Sequence, residues 1–479
     1  MKVQSIKFNY ALNITRILAT TLLGLISMPY INRTLGVESV GKYEFINSII
    51  TYFVLFSALG IPTYGIREIA KARDNIKERS KITAELFIIL ILTNIISYIT
   101  LFSILYFVES LQENKALIIA IAPIIFFTNL SFEWFFQGIE NQLHITIRTV
   151  LVKVLTLAAI FYFIDSKDDY VIYALILTLG IILGSLFNLF YLRKYIAFNS
   201  FTIKELDIKR HFKGILTIFL ASISISIYLQ IDNTLLGIYG TETNVGLYTT
   251  SNKLIRLAIM MVTTIGAVML PRLSYLFKNN ELTTYYAYLE DSLKYILLIS
   301  CPLVILMFGL AREIIFIMAG TEFEGSILPM KILCFLIFIV SLSYFFGFMI
   351  LYPKGKEKIY TIVVFISAVI SIILNIIFIP KYFEITTSVV TIIAELLGLL
   401  LMALYCKEEI KKIRFFSKDN FFIILSAITM LIPIYLIHEV DLTYWYKIIF
   451  SSISGLITYF LMLTLTKNKI LLNLVKKIS

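Results

Sequence analysis

Among the basic side chains within long apolar stretches of the sequence, three are candidates for a binding site, because a charge is costly there. They are Arg16, Lys253 and Arg256. A charge at the centre of a bilayer costs roughly 2.5–3.5 kcal/mol on insertion scales, so such a group is usually paired or faces water. Guanidinium and ammonium groups are the side chains that hold anions at low dielectric. These positions therefore predict a cation-lined cavity that can receive an anionic group.

Asparagine side chains accompany these cations. Asn13 lies three residues before Arg16, on the same face of a helix, and Asn252 precedes Lys253 directly. Lys253 and Arg256 are themselves three residues apart, so about one helical turn carries both charges. We expect this polar set to line the cavity.

Acidic residues within the apolar stretches leave a second interpretation open. Asp232 could form an internal ion pair with Lys253 or Arg256, and these cations would then be structural. Glu133 and Glu395 could carry a coupling proton or sodium ion, or could be buried and protonated. No metal or other cofactor is expected, because the cysteines lack ligand spacing and no HExxH motif or CxxC pair occurs.

The elements that must position these residues are transmembrane helices. Of the 479 residues, 59% are apolar and only 15% are charged, against about a quarter charged in soluble proteins. The apolar runs are continuous and ~20 residues long, which is the length of a membrane-spanning helix and excludes an alternating β-barrel pattern. We predict an all-α integral membrane protein with about fourteen spans, near residues 10–31, 43–65, 82–108, 116–137, 145–164, 171–192, 214–238, 245–270, 293–310, 327–352, 359–379, 385–406, 420–438 and 445–466.

The distribution of basic residues predicts the orientation. With the N-terminus inside, thirty of the 42 Lys and Arg residues fall on the inner side, seven on the outer side and five within spans. Such a bias favours cytoplasmic N- and C-termini in a multi-pass protein of the cytoplasmic membrane. It also accounts for the net charge of +11 without a nucleic-acid partner.

A repeated motif indicates an internal duplication. Leu-Gly followed by Val-Gly-Lys-Tyr occurs at 35–43, and Leu-Gly followed by Val-Gly-Leu-Tyr occurs at 236–248, with Asn47 and Asn252 at the same offset. We expect two six-helix lobes, 1–200 and 201–410, related by pseudo-twofold symmetry around a central cavity. Residues 411–479 add two spans and a basic tail. In the linker between the lobes, 202–209 could form an amphipathic helix on the inner leaflet or a solvated loop.

Helix-breaking residues interrupt the first two spans. Pro29 should kink the first span, and Gly60, Pro62 and Gly65 should break the second near the inner surface. They are hinge candidates for alternating access, or ordinary helix ends.

The first 275 residues resemble a known family. The residues that carry the resemblance are Pro29-Tyr30 with Arg33 and Leu35-Gly36, then Gly60-Ile61-Pro62 with Tyr64-Gly65-Ile66-Arg67-Glu68, then Trp134 with Phe136-Gln137-Gly138, and Asp232-Asn233 with the second copy of the repeated motif. The sequence is similar to the Wzx-type polysaccharide repeat-unit flippases of the multidrug/oligosaccharidyl-lipid/polysaccharide exporter superfamily.

The resemblance implies a transporter and not an enzyme. It would move undecaprenyl-diphosphate-linked oligosaccharides from the inner to the outer leaflet for O-antigen or capsule synthesis. Arg16, Lys253 and Arg256 would hold the diphosphate, and a polysaccharide polymerase and a chain-length regulator would be partners. The two negative charges of that headgroup would gain roughly 4.6 kcal/mol per 100 mV on moving outward, so ion coupling would be optional.

Three other functions stay open at this point. A cation-coupled multidrug antiporter of the same superfamily should favour acidic over basic cavity residues, which the basic eighth span does not. A lipid II flippase matches the motifs less well. A non-transporting scaffold of a polysaccharide assembly complex would tolerate the loss of Arg256.

Overall fold

The computed structural model describes residues 6–197, 199 and 201–466, and the predicted basic tail after Thr466 lies outside these residues. Every regular element in these ranges is helical, which confirms the all-α prediction. The α-helices are α1 Ile6–Ala58, α2 Ile61–Lys71, α3 Ile76–Phe107, α4 Glu109–Gln112, α5 Lys115–Ile121, α6 Pro123–Leu130, α7 Glu133–Gly138, α8 Gln142–Phe163, α9 Tyr170–Leu192, α10 Lys209–Tyr239, α11 Glu242–Lys278, α12 Leu282–Gly309, α13 Ala311–Met318, α14 Ile327–Leu333, α15 Leu336–Tyr344, α16 Glu357–Tyr405, α17 Lys407–Lys412, α18 Lys418–Thr429, α19 Leu431–His438 and α20 Tyr444–Leu465.

The chain is a multi-pass membrane protein. Among the described residues, nine helical stretches are long and apolar enough to cross a bilayer, and eleven if two bent helix pairs each count as one span. The predicted total of fourteen spans and the symmetry between the lobes stay predictions.

Two of the longest helices are interrupted where the sequence predicts a boundary between spans. Helix α1 has 53 residues, and its backbone leaves the helical region at Gly36, between predicted spans 1 and 2. Helix α16 has 49 residues and breaks at Phe383, between predicted spans 11 and 12. A straight helix of ~50 residues would measure roughly 75 Å, more than twice the hydrocarbon core. Each break therefore divides a helix into two membrane-length segments.

The chain folds as two compact units, Met1–Thr234 and Leu235–Ser479. In the first unit α2, α3, α7 and α8 enclose an aromatic and aliphatic core that includes Ile61, Leu86 and Phe135, each fully buried. In the second unit Tyr248 and Tyr285 are fully buried. The predicted boundaries at residues 200 and 410 stay predictions.

Two of the predicted hinge residues of the first unit, Gly60 and Pro62, lie at one break, whereas Gly65 lies within α2. Leu59 and Gly60 have positive φ angles of 46° and 76° between α1 and α2, and Pro62 lies in the first turn of α2. A Cβ atom on Gly65 would lie 2.4 Å from Trp134 Cε3, so only glycine permits this approach of α2 to α7. At Pro29 the backbone remains helical. Whether these positions act as hinges stays a prediction.

The linker contains no amphipathic helix over 202–209. A three-residue 3₁₀ turn, Ile203–Glu205, is closed by Thr202, and α10 begins only at Lys209. Lys77 Nζ lies 2.9 Å from Glu205 Oε2 and, by this hydrogen bond, lowers the pKa of that carboxyl group. The structure thus favours the alternative of a solvated loop.

Candidate anion-binding site

A strained turn positions the central residue of the candidate site. Helix α6 ends at Leu130, and α7 begins at Glu133. Phe132, directly before it, has a φ angle of 47°. A bulky residue at positive φ is an outlier that persists only where the surrounding structure enforces it, and such outliers cluster at functional sites. Here the turn interrupts predicted span 4 and places Glu133 at the first position of a new helix.

Two arginines from different helices share the carboxylate of Glu133. Arg16 of α1 donates from Nη1 to Oε1 at 2.7 Å. Arg148 of α8 donates from Nη2 to Oε2 at 2.8 Å. Gln137, one turn along α7, adds a hydrogen bond of 3.2 Å to Oε1. Asn13 Oδ1 accepts from Arg16 Nη2 at 2.8 Å, which fixes the guanidinium from its own helix. These four partners and Glu133 form what we call the Glu133 cluster.

The cluster carries a net charge of +1 and has hydrogen-bond donors that are not used. The side chains of Arg16, Glu133 and Arg148 are 21%, 28% and 11% exposed, so the site is partly open. Both Nε–H groups are buried, and among the described residues neither has a hydrogen-bond partner. Buried donors left without acceptors are costly, and guanidinium donors suit phosphate and carboxylate oxygens. The arrangement can therefore accept an additional anion.

A small cavity of about 200 Å³ adjoins the cluster. Its lining residues are Ile61, Pro62, Ile66, Leu90, Thr128, Asn129, Ser131, Glu133, Trp134 and Gln137. The indole Nε1 of Trp134 is buried, and no described residue accepts a hydrogen bond from it. A donor of this kind needs an acceptor from outside the protein, such as water or a ligand oxygen. The cavity reaches from the Glu133 cluster to Ile61 and Pro62, at the start of α2.

The structure brings together three of the predicted site residues, Arg16, Asn13 and Glu133. It also adds Arg148, which was counted among the thirty basic residues on the predicted inner side. Its position within predicted span 5 could have indicated that it is an intramembrane cation. Glu133 forms ion pairs with two cations. Whether it also carries a coupling ion, or becomes protonated, stays a prediction.

The other predicted residues of the first unit lie elsewhere. Asn47 is half-buried in the part of α1 beyond Gly36. Asp232 is 7% exposed and lies near the end of the first unit.

In the second unit the predicted residues lie on α11 and α16. Asn252 and Arg256 are half-buried, and Lys253 is exposed. The Oδ1 atom of Asn252 is buried and has no partner among the described residues. Glu395 is half-buried on α16. The predicted role of these residues in a cavity, and the alternative ion pair of Asp232, stay open.

Comparison with known proteins relates the chain to polysaccharide biosynthesis proteins and O-antigen transporters. Residues 7–277 match the family described as polysaccharide biosynthesis protein. The chain is 22% identical to the "Putative O-antigen transporter" of Escherichia coli over 391 residues, which is 81% of this chain and 93% of that protein. It is 24% identical to the protein of the same description from Shigella dysenteriae over 360 residues, which is 74% of this chain and 88% of that protein.

Solved transporter structures share the fold. A lipid II flippase, MurJ, in an inward closed conformation aligns with a TM-score of 0.78 at 18% identity, over 96% of this chain and 99% of the other. An inward-facing multidrug transporter of the MATE family aligns with a TM-score of 0.66 at 17% identity, over 83% of this chain and 98% of the other. These relatives and neighbours are transporters or flippases, which confirms the expectation that the chain is not an enzyme.

Proposed function

Because the chain belongs to the polysaccharide biosynthesis protein family, within the multidrug/oligosaccharidyl-lipid/polysaccharide exporter superfamily, we propose that it is a flippase for undecaprenyl-diphosphate-linked oligosaccharides. It moves repeat units from the inner to the outer leaflet of the cytoplasmic membrane by alternating access, with both termini in the cytoplasm. The observation that carries this proposal is the Glu133 cluster, a partly open site with net positive charge and unused guanidinium donors. A cationic drug would find a less favourable charge there.

In this proposal Glu133 holds the two arginines while no substrate is bound. A diphosphate has more acceptor oxygens than a carboxylate and a larger charge, so it can take over the donors of Arg16 and Arg148. The buried Nε–H groups gain acceptors at the same time. Arg16 is the substrate-binding residue of α1, and Arg148 is that of α8. Because the diphosphate replaces the Glu133 carboxylate as the anion beside the two guanidinium groups, neither arginine is left without a partner during binding and release, which keeps the energetic cost small.

Transport in this scheme needs no cofactor. The headgroup carries about two negative charges, and an inside-negative potential supplies roughly 4.6 kcal/mol per 100 mV for their outward movement. A coupling proton or sodium ion is therefore optional. A polymerase and a chain-length regulator, which would use the outward-facing product, remain the expected protein partners.

Flipping of a fluorescent undecaprenyl-diphosphate oligosaccharide in proteoliposomes tests the proposal. We expect outward transport that accelerates with an imposed inside-negative potential and proceeds without an ion gradient. Complete insensitivity to the potential would refute potential-driven transport. Absence of flipping by the wild-type protein, with normal folding, would refute the flippase function and leave the scaffold alternative.

A further inference from the structure

A second basic site lies in the second unit, around a phenylalanine that the fold holds outward. The Phe416 side chain is 91% exposed. The residues beside it are fixed: Phe415 stacks on Phe346 at a centroid distance of 5.9 Å, and its carbonyl accepts a hydrogen bond of 2.7 Å from Asn420 Nδ2. The Arg414 backbone N–H donates to Glu290 Oε1 at 3.0 Å. The exposure of Phe416 thus results from anchored neighbours on both sides.

A cavity of about 640 Å³ opens beside this segment. Its lining residues are Glu290, Lys294, Ile410, Ile413, Arg414, Phe415, Phe416, Ser417, Lys418 and Asp419. Three cations face two carboxylates, so the lining has a net charge of +1. One carboxylate, Glu290, already accepts the Arg414 backbone N–H, and Lys294 lies 3.9 Å from Asp291. Arg414 and Lys418 are exposed at the mouth of the cavity beside Phe416.

Other basic groups of the second unit also lie against aromatic rings. Lys412 Nζ lies 5.3 Å from the centre of the Tyr286 ring. The Arg272 guanidinium lies 5.6 Å from the rings of both Tyr275 and Tyr288. Amphipathic aromatic and long basic side chains are the groups that occupy the level of lipid headgroups. The charge distribution of the sequence places this segment at the cytoplasmic surface, where the leaflet is anionic.

We propose that Arg414, Phe416 and Lys418 form a binding site for the headgroup of an anionic phospholipid of the cytoplasmic leaflet. The two cations contact the phosphate, and the Phe416 ring inserts among the upper acyl chains. The cavity behind them holds the glycerol part of the headgroup. Glu290 positions Arg414 by its backbone. This site is independent of the Glu133 cluster and of the proposed transport function.

Native mass spectrometry of the purified full-length protein tests the site with phosphatidylglycerol and phosphatidylcholine as probes. We expect preferential retention of phosphatidylglycerol. Arg414→Gln and Lys418→Gln should each weaken it about fivefold, which corresponds to the ~1 kcal/mol that one basic residue contributes near an anionic surface. The matched control is Lys358→Gln, an exposed lysine in the first turn of α16 on the predicted inner side, which should change retention less than twofold. Equal loss in the control, or equal retention of both lipids, would overturn the proposal.

The position of the ring in the membrane is a second, independent readout. Phe416→Trp in a Trp445→Phe background provides a fluorescent residue at the site, because Trp445 is 63% exposed and Trp134 is buried. In vesicles containing phosphatidylglycerol, emission should be quenched severalfold more by lipids brominated near the headgroup than by lipids brominated at the chain ends. Emission typical of water, without quenching, would overturn the insertion of this residue. Displacement of phosphatidylglycerol by undecaprenyl diphosphate at equal concentration would overturn the phospholipid assignment in favour of substrate docking.

Discussion

Two glutamates of the first unit, Glu85 and Glu133, each bind two basic side chains, but their surroundings differ. Glu85 is fully buried. Its Oε1 accepts a hydrogen bond from the Asp207 backbone N–H, and its Oε2 accepts from Arg210 and lies 2.8 Å from His211 Nε2. Glu133 is partly exposed beside a cavity, and both of its arginine partners retain unused donors.

The difference separates a structural carboxylate from one that can exchange partners. Both oxygens of Glu85 accept hydrogen bonds from the linker or from the start of α10, so the residue anchors these segments to α3. Among the described residues, neither Arg210 nor His211 has a buried side-chain nitrogen without a partner, so an additional anion would gain little there. At the Glu133 cluster an incoming anion would find donors already oriented. Satisfaction of hydrogen bonds, more than charge alone, distinguishes the two sites.

Removal of the Glu85 carboxylate should have the largest effect on stability. Glu85→Ala leaves Arg210 with only the partly exposed Glu78, leaves His211 Nε2 without its acceptor, and removes the acceptor of a backbone N–H. Loss of one partner from a buried ion pair typically costs 3–5 kcal/mol. We expect a large fall in the melting temperature in detergent. The control is Glu78→Ala, which removes a partly exposed carboxylate 2.8 Å from the same Arg210 and should cost at most about 1 kcal/mol. Equal destabilisation by both variants would contradict the distinction.

Loss of Arg16 should instead affect substrate binding and leave stability nearly unchanged. Arg16→Gln removes hydrogen bonds to a charged ligand, which are worth about 1.5–3 kcal/mol, or roughly 10- to 100-fold in affinity. We expect this loss in binding of undecaprenyl diphosphate, measured with the purified protein. Arg16→Lys should restore only part of it, because an ammonium lacks the planar fork of donors. The matched control is Lys153→Gln, an exposed cation on α8, which should bind normally.

Neutralisation of Glu133 should have a smaller effect of the opposite sign. Glu133→Gln removes the internal anion that competes for both arginines, so undecaprenyl diphosphate should bind about tenfold more tightly, a change of ~1.4 kcal/mol. Tighter binding of the ground state should slow release and therefore turnover. The same affinity measurement checks the prediction. Weaker binding would show that Glu133 positions the arginines for the substrate and does not compete with it.

The sequence alone predicts an all-α membrane protein, because a long continuous apolar run forms a membrane-spanning helix and has few other stable structures. The two breaks inside α1 and α16, at Gly36 and Phe383, lie between predicted spans, because each apolar run is only long enough to cross the membrane once. The cation Arg16 and its neighbour Asn13 were also predictable, since an intramembrane charge and a residue three positions away must share a helix face.

Contacts between distant helices could not be predicted in this way. Arg148 lies fifteen residues from Glu133, and Arg16 lies 117 residues from it, so no local spacing joins them. The turn at Phe132 contains no glycine or proline from which it could be predicted. Glu85 is likewise more than 120 residues from Arg210 and His211. These partners are brought together by tertiary packing, and the spacing of residues in a single sequence does not show which distant residues come into contact.

The smallest expected effect concerns Tyr64, which contacts Glu85 only through His211. Because a carboxylate only accepts hydrogen bonds, His211 donates from Nε2 to Glu85, and in the neutral ring Nδ1 accepts from the Tyr64 hydroxyl at 2.8 Å. Tyr64→Phe removes this one neutral hydrogen bond and keeps the ring, so we expect a loss of about 1 kcal/mol in thermal stability. Binding of undecaprenyl diphosphate should remain unchanged, since the Glu133 cluster keeps all its contacts. Tyr98→Phe, which also removes a hydroxyl bonded to a single acceptor in the first unit, is the matched control for stability. A change in substrate affinity for Tyr64→Phe alone would show that the two glutamate sites are coupled through α2, and the separation of a structural site from a binding site would then be wrong.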